Sequence, residues 1–218
     1  IGGKFTIESN ESIINIAKLV DGVWQPMGIE FMSGSIRDLT WFDGELYVTG
    51  DFRGIGGTRN YGVMKYSEEQ WVDAGLYSFL NASGFVVSDN SLLAWGSGFR
   101  GNGAGYTHTV SIYTDGAWTT LPGVNDESSV SESCAYVGGV IYTTIDDYLY
   151  QFDYSINEWK LVGSTSLELN SVELFVHENK LHLVDENSDF YKLQDGALEK
   201  INFQGSNNFI DGSIHTAS

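Results

Sequence analysis

The sequence predicts an all-β fold made of repeated four-stranded sheets, and three observations lead to this prediction. The composition favours strands and tight turns, since 26 Gly, 12 Tyr, 12 Phe and 6 Trp stand beside only 2 Pro in 218 residues. A tryptophan, replaced by leucine in the last copy, follows a turn about every 39 to 47 residues, the period typical of four-stranded propeller blades. A hairpin pattern recurs with the same period.

The clearest copy of the repeat occupies residues 36–75. Four short apolar and aromatic segments are separated there by Asp43-Gly44, by a glycine-rich loop at 53–59 and by a turn at 67–70. An Asp-Gly pair readily takes the two positive φ angles that a two-residue hairpin turn requires. This stretch therefore predicts four antiparallel strands.

The first landmark of the repeat is a tryptophan placed between a turn and a glycine. We expect each of these side chains to be a core residue that packs against the next sheet, because a large aromatic side chain contributes most when it is buried. The copies are Trp24, Trp71, Trp118 and Trp159, and Leu198 takes this position in a fifth copy.

The second landmark is a tight turn followed by an aliphatic and aromatic strand. Leu46, Tyr47 and Val48 are consecutive in one copy, so both faces of that sheet are apolar and both need cover. Radial repetition gives each sheet two neighbours and predicts a β-propeller. The hairpins lie at 41–50, 87–96, 136–145 and 176–185, and the blades at about 31–75, 79–123, 131–163 and 170–203.

The two ends of the chain resemble consecutive parts of one repeat. Residues 209–218 align without gaps on 31–40, and residues 1–5 align on 48–52. A composite blade of 209–218 with 1–28 would make five blades in a single domain over 1–218, with the termini sharing one blade. The competing hypothesis is that the chain is a portion of a longer array or a larger ring.

The charge of the chain excludes two classes of partner. A formal net charge of −18 repels phosphate backbones and anionic lipid, so we expect no nucleic acid and no membrane partner. No apolar run is long enough for membrane insertion.

Cys134 is the only cysteine, and the alternating pattern around it predicts a buried small hydrophobe. The oligomeric state stays open.

Several segments resemble kelch-type repeats and their relatives in the galactose-oxidase central-domain superfamily: GGKF, NIAKLVDGVWQPMG, DGELYVTGDF and FDYSINEWKLVG. The resemblance implies a propeller of a secreted or cell-surface protein in a recognition or scaffolding role, and it implies no catalytic residue. The later blades depart from the family pattern at Thr144-Ile145 and Val184-Asp185, where the family has a double glycine. The matching positions are Asn15, Ile16, Ala17, Lys18, Asp21, Gly22, Trp24, Phe152, Asp153, Asn157 and Trp159.

The glycine-rich segments 54–57 and 101–105 do not fit phosphate-binding loops, because strands rather than a helix follow them. They are predicted to join the second and third strands of successive blades, with 5–15 as the matching loop of the composite blade, and to meet on one face. Rather than contacting a ligand, Arg53 and Arg100 could each bond a carbonyl or carboxylate of their own loop. The candidate ligand-binding residues on these loops are Arg53, Arg59, Asn60, Arg100, Asn102, Tyr106 and His108.

No catalytic residue can be singled out, and we expect neither a cofactor nor a metal site. Calcium is the one ion that the charge favours, at 185–189, and a hairpin turn at Asn179-Lys180 would place His177 opposite His182, close enough to share zinc.

Three functions are compatible with this sequence. The first is a non-enzymatic, extracellular or cell-surface module that binds a protein or glycan through one rim. The second is a glycan-active hydrolase or lyase with acidic residues near the central channel, and the third is a structural segment of a large surface protein.

Overall fold

The protein is all-β in a computed structural model, with five antiparallel sheets that follow one another along the chain. The structure describes residues 1–7, 13–27, 34–53, 59–60, 62–76, 79–88, 90–99, 106–124, 131–145, 148–162 and 172–202. No helix occurs among these residues, so none of them forms a helix that could span a membrane.

Each sheet is a simple up-and-down arrangement of consecutive strands. The first contains β1 (Gly2–Ile7), β2 (Ile13–Val20) and β3 (Val23–Pro26). The second contains β4 (Gly34–Phe42), β5 (Glu45–Arg53), the two-residue β6 (Arg59–Asn60), β7 (Val63–Ser67) and β8 (Gln70–Asp73), and β6 pairs with the end of β5.

The other three sheets have four strands each. The third contains β9 (Phe79–Val87), β10 (Leu92–Phe99), β11 (Tyr106–Thr114) and β12 (Ala117–Thr120). The fourth contains β13 (Ser131–Val137), β14 (Val140–Ile145), β15 (Tyr148–Asp153) and β16 (Glu158–Leu161). The fifth contains β17 (Glu173–His177), β18 (Lys180–Val184), β19 (Phe190–Gln194) and β20 (Ala197–Ile201).

The hairpin turns have the backbone geometry that their sequences predict. Asp43 and Gly44 have φ angles of 49° and 76°, and such a pair of positive angles matches the twist of the flanking strands. The predicted two-residue turns are therefore confirmed where both φ angles are positive. The same geometry occurs at Asp21-Gly22, Asp115-Gly116, Gly138-Gly139 and Asp195-Gly196.

Apolar clusters fill the spaces between successive sheets. In the second sheet Leu46 and Val48 pack towards the first sheet, whereas Tyr47 packs towards the third. The expectation that both faces of this sheet are covered is thus confirmed. Cys134 is buried between the third and fourth sheets, also as expected. The first strands of neighbouring sheets contact each other in chain order, β1 with β4, β4 with β9, β9 with β13 and β13 with β17.

Three of the repeated tryptophans join their sheet to the preceding one, whereas Trp24, in the first sheet, is 40% exposed and is not the core residue expected. Their indole Nε1 atoms donate to backbone carbonyls, from Trp71 to Met27 (2.6 Å), from Trp118 to Ala74 (2.9 Å) and from Trp159 to Pro122 (2.7 Å). The expectation that they pack against the next sheet is therefore wrong in direction. Strand alternation places a side chain on one of two faces, but the tertiary arrangement decides which neighbour that face meets.

The ends of the array differ from its middle. Among the described residues, no comparable contact joins the fifth sheet to the first. Within the first sheet, the backbone nitrogen of Ile1 donates to the Ala17 carbonyl at 2.9 Å, and the Ala17 N–H donates to the Ile1 carbonyl at 3.0 Å. The 209–218 part of the predicted composite blade lies outside the described residues, whereas its 1–28 part contains the first sheet.

Candidate ligand-binding rim

The strand order decides which connections share one side of a sheet. In an antiparallel meander, the links between first and second strands and between third and fourth strands lie at one end, and the link between second and third strands lies at the other. The strand ends that flank 54–58 and 100–105 therefore lie at equivalent ends of the second and third sheets. We call the positions Phe52, Arg53, Arg59, Asn60, Phe99 and Tyr106 at this end the rim.

Three of the predicted ligand-binding residues occupy one short ladder of the rim. Phe52 pairs with Asn60 and Arg53 pairs with Arg59 in β5 and β6. Directly opposite residues of an antiparallel pair have Cβ atoms about 4.5–5.5 Å apart. The backbone therefore brings two arginine positions together, which the sequence alone did not indicate because it left 53–59 as one loop.

Tyr106 takes a matching place in the third sheet, where it pairs with Phe99 at the last rung of β10 and β11. Arg100 and Asn102 lie outside the described residues. The structure thus places four of the seven candidate residues at the rim, namely Arg53, Arg59, Asn60 and Tyr106.

A repeated β-bulge shapes the strands that lead to the rim. Ile36 pairs with Gly50 and Asp38 pairs with Thr49, so Arg37 is an extra residue in β4. A Cβ atom on Gly50 would lie 2.1 Å from the Ser35 carbonyl oxygen, so only glycine fits there. In β9 an equivalent bulge lies opposite Trp95 and Gly96. The glycine that closes the first two hairpin landmarks was the sequence signal for this feature.

His108 lies inside the protein rather than at the rim. It pairs with Ser97 in β11, is 1% exposed, and its ring centroid is 5.6 Å from that of Trp159 in the next sheet. Burial lowers the pKa of His108 to about 3, so its imidazole is neutral at pH 7. The sequence suggested a loop up to His108, but β11 already begins at Tyr106. We therefore leave His108 out of the proposed ligand surface.

The two histidines considered for zinc are not opposite each other. The turn is Glu178-Asn179, with φ angles of 50° and 56°, so His177 pairs with Lys180 and His182 pairs with Phe175. The expected register is therefore wrong by one residue. The two imidazole centroids lie 5.9 Å apart, and burial lowers the pKa of His182. In the part of the chain that the structure describes, no group of three or more potential ligands is placed to hold a metal ion.

The acidic segment considered for calcium forms a turn closed by its own hydrogen bonds. Asp185 Oδ1 accepts the backbone N–H groups of Asn187 (3.0 Å) and Asp189 (2.9 Å). The Tyr191 hydroxyl donates to the other carboxylate oxygen of Asp185 at 3.4 Å, and Asp189 pairs with Lys200. These contacts account for the shape of the turn through protein groups, and calcium binding here stays a prediction.

Among the residues that the structure describes, two carboxyl groups have a shifted pKa, and both shifts are downward. The hydrogen bond from Lys65 lowers the pKa of Glu45, and that from Lys160 holds the pKa of Asp153 well below its usual range. A general acid in glycoside hydrolysis needs a raised pKa. These two groups therefore give no support to the hydrolase hypothesis.

Comparison with known proteins adds no relative to this description. No protein-family model matches the chain, and a search of curated proteins found no match. The fold itself is all-β and consists of blade-like antiparallel sheets.

Proposed function

We propose that the chain is a non-enzymatic binding module that recognises an acidic group on a short glycan through the rim. The observation that carries this proposal is the register of β5 and β6, which sets Arg53 directly opposite Arg59. The chain has only 11 basic residues against 29 acidic ones, so two arginines on one rung are a notable concentration of positive charge.

The physical reason is electrostatic. Like charges directly opposite each other in a sheet destabilise the pair. A carboxylate or sulfate bound between two guanidinium groups removes this repulsion, and the planar donors of Arg suit the paired oxygens of such an anion. The arginine rung thus favours an anionic ligand.

The net charge of the chain further restricts the class of anionic ligand. A chain of charge −18 repels long polyanions, which favours one or two acidic groups on an otherwise neutral ligand. Asn60 and Tyr106 lie at the same rim and belong to the residue types that bond sugar hydroxyls and cover apolar sugar faces. An acidic sugar within a short oligosaccharide fits this combination.

The overall architecture belongs to the same proposal. We infer a closed five-bladed propeller in which 209–218 joins β1–β3, of the kelch-like kind found in extracellular and cell-surface proteins. The four inter-sheet clusters and the chain-order contacts of first strands support this arrangement.

The test begins with an array of neutral and acidic oligosaccharides, with acidic peptides as a separate arm. Binding of the best ligand is then measured for Arg53→Gln/Arg59→Gln. We expect a loss of about tenfold or more in affinity, because charge-assisted hydrogen bonds are lost. The melting temperature should not fall, since the substitutions relieve like-charge repulsion.

The matched control is Lys18→Gln/Lys180→Gln, which removes the same charge from exposed positions outside the rim. Equal weakening in both variants would show that only the overall charge matters. Recognition of acidic peptides alone would replace the glycan by a protein ligand, and an array without any binding would leave the structural-segment hypothesis in its place.

A further inference from the structure

The second to fifth sheets share an apolar position beside the turn that joins their first two strands. Each residue at this position lies directly opposite a buried aliphatic residue, in the pairs Trp41 with Leu46, Val87 with Leu92, Tyr136 with Ile141 and Val176 with Leu181. Trp41 is 65% exposed and Val87 is 47% exposed, whereas Tyr136 and Val176 are partly buried. Large apolar side chains therefore reach the surface at one repeated place.

Hydrogen bonds between neighbouring sheets align these positions. Asp38 Oδ2 accepts the Phe85 N–H at 2.8 Å, and Ser133 Oγ accepts the Leu174 N–H at 2.9 Å. In both cases the acceptor lies three residues before the apolar position of its own sheet, and the donor lies two residues before that of the next sheet. The third and fourth sheets contact each other through β9 and β13. The four positions thus lie at one end of neighbouring strands.

This end is opposite the rim, because the link between first and second strands and the link between second and third strands leave a meander at opposite ends. We call the four apolar positions, together with the hairpin turns at their end of these sheets, the turn face. Contiguous apolar groups on a surface mark interaction sites when polar residues surround them.

Carboxylates surround the apolar positions of the turn face. Each of the four sheets has at least one exposed acidic residue in or directly beside its turns, and examples are Asp43, Glu69, Asp115, Glu158, Glu178 and Asp195. Two lysines near this end are already engaged, since Lys65 pairs with Glu45 and Lys160 pairs with Asp153. Among the described turns and the residues directly beside them, Lys180 is the only Lys or Arg.

The charge of this surround selects the partner. Complementary charge steers association and suppresses partners of like charge, so an acidic surround favours a basic partner. A second copy of the chain fits poorly, because each copy has a net charge of −18. The exposed Trp41 and Val87 require apolar side chains between the basic ones.

We propose that the turn face is a docking surface for a basic polypeptide segment in which lysine or arginine alternates with apolar side chains. The apolar side chains cover Trp41 and Val87, and the basic ones lie against the carboxylates of the turns. This surface is separate from the rim, so the inference goes beyond the proposed glycan binding and does not depend on it.

The test uses a short fluorescent peptide of alternating lysine and leucine as the probe. Two further peptides, of lysine with serine and of glutamate with leucine, keep only the charge or only the apolar side chains. We expect both to bind at least about tenfold more weakly than the first, and we expect added salt to weaken the binding of the first. The first peptide should also shift the indole N–H signal of Trp41 but not that of Trp71, which is 1% exposed.

The decisive variant is Trp41→Ser/Val87→Ser, in which the affinity for the lysine and leucine peptide should fall at least about tenfold. The matched control is Tyr148→Ser/Leu161→Ser. It removes side chains that are 45% and 47% exposed from strand ends on the side of the rim, and should leave the affinity unchanged. Both variants should keep a melting temperature near that of the wild type, since exposed substitutions cost little stability.

The charge of the turns is tested by Asp43→Asn/Asp115→Asn. These residues have φ angles of 49° and 52°, which asparagine tolerates well, so the charge is removed without disturbing the turns. We expect weaker binding of the peptide at low salt and a smaller difference at high salt. Arg53→Gln/Arg59→Gln should bind the peptide as the wild type does, which separates the turn face from the rim.

Equal losses in Trp41→Ser/Val87→Ser and in its control would overturn the proposal, and so would equal affinity for the lysine and leucine peptide and the lysine and serine peptide. A Trp41 indole proton that is protected from exchange without any peptide would show that another part of the chain already covers this face. Protection that grows with protein concentration would assign the face to a second copy.

Discussion

Trp71 and Trp24 occupy the same position of the repeat but have different surroundings. Trp71 is 1% exposed, donates its N–H to Met27 and lies 5.0 Å from the Tyr66 ring, whereas Trp24 is 40% exposed and pairs with Leu19. The difference shows that the same strand pairing forms in both sheets, whereas burial of the tryptophan depends on a neighbouring sheet. Stability should therefore depend on position in the array.

The largest expected effect is the loss of Trp71. Trp71→Ala should lower the free energy of unfolding by about 3–5 kcal/mol, because a fully buried aromatic side chain is removed and a cavity remains. Trp24→Ala should cost about 1–2 kcal/mol, since much of its surface stays in contact with water. Urea unfolding of both variants measures the difference. Equal losses would show that the first sheet is covered as completely as the second.

An intermediate effect is expected where β4 of the second sheet contacts β9 of the third. Asp38 accepts the N–H of Leu39 at 2.7 Å and that of Phe85, in the next sheet, at 2.8 Å. Asp38→Ala should cost about 2–3 kcal/mol, because two backbone donors lose their acceptor.

The control for this substitution is Asp73→Ala. Asp73 also accepts a backbone N–H, from Gly75 at 2.7 Å, but it does so in an exposed turn within one sheet. Its removal should cost no more than about 0.5 kcal/mol. Similar losses in the two variants would mean that the Asp38 bridge contributes nothing specific to the seam.

The effect expected to be smallest near neutral pH, and to grow as the pH falls, is a pH dependence at the seam between the third and fourth sheets. His108 has a folded pKa of about 3, below the unfolded value of about 6.5, so the unfolded chain takes up the proton first. Stability from this group is therefore complete above about pH 6.5 and falls as the pH decreases towards 3, by at most about 1.4 kcal/mol per pH unit.

The measurement compares wild type with His108→Phe at several pH values, because the contributions of the carboxyl groups cancel in the difference. We expect the advantage of the wild type to shrink steadily below pH 6.5. Parallel curves for His108→Phe and wild type would contradict the burial of a neutral imidazole.

The sequence and the structure agree best where the signal is local. Asp-Gly and Gly-Gly pairs take positive φ with little strain, so the turns at Asp43-Gly44 and Gly138-Gly139 were predictable. The turn between β17 and β18 was not, because neither Glu178-Asn179 nor Asn179-Lys180 contains a glycine. Because the turn lies one residue earlier than expected, His182 pairs with Phe175 rather than with His177.

The candidate site was predictable in part for the same reason. A glycine-rich loop after Phe52 marked the end of β5, but the pairing of Arg53 with Arg59 depends on how far the ladder continues into that loop. His108 was misplaced because its neighbours in sequence are polar, whereas its burial comes from Trp159, which is distant in sequence.

The sequence by itself determined the strands, their turns, the period of the repeat and the need for cover on both faces, as Leu46, Tyr47 and Val48 show. These properties depend on residues within a few positions of each other. Only the tertiary structure decided that Trp71, Trp118 and Trp159 bond to the preceding sheet, because the pattern of a strand defines two faces without stating which neighbour lies on either.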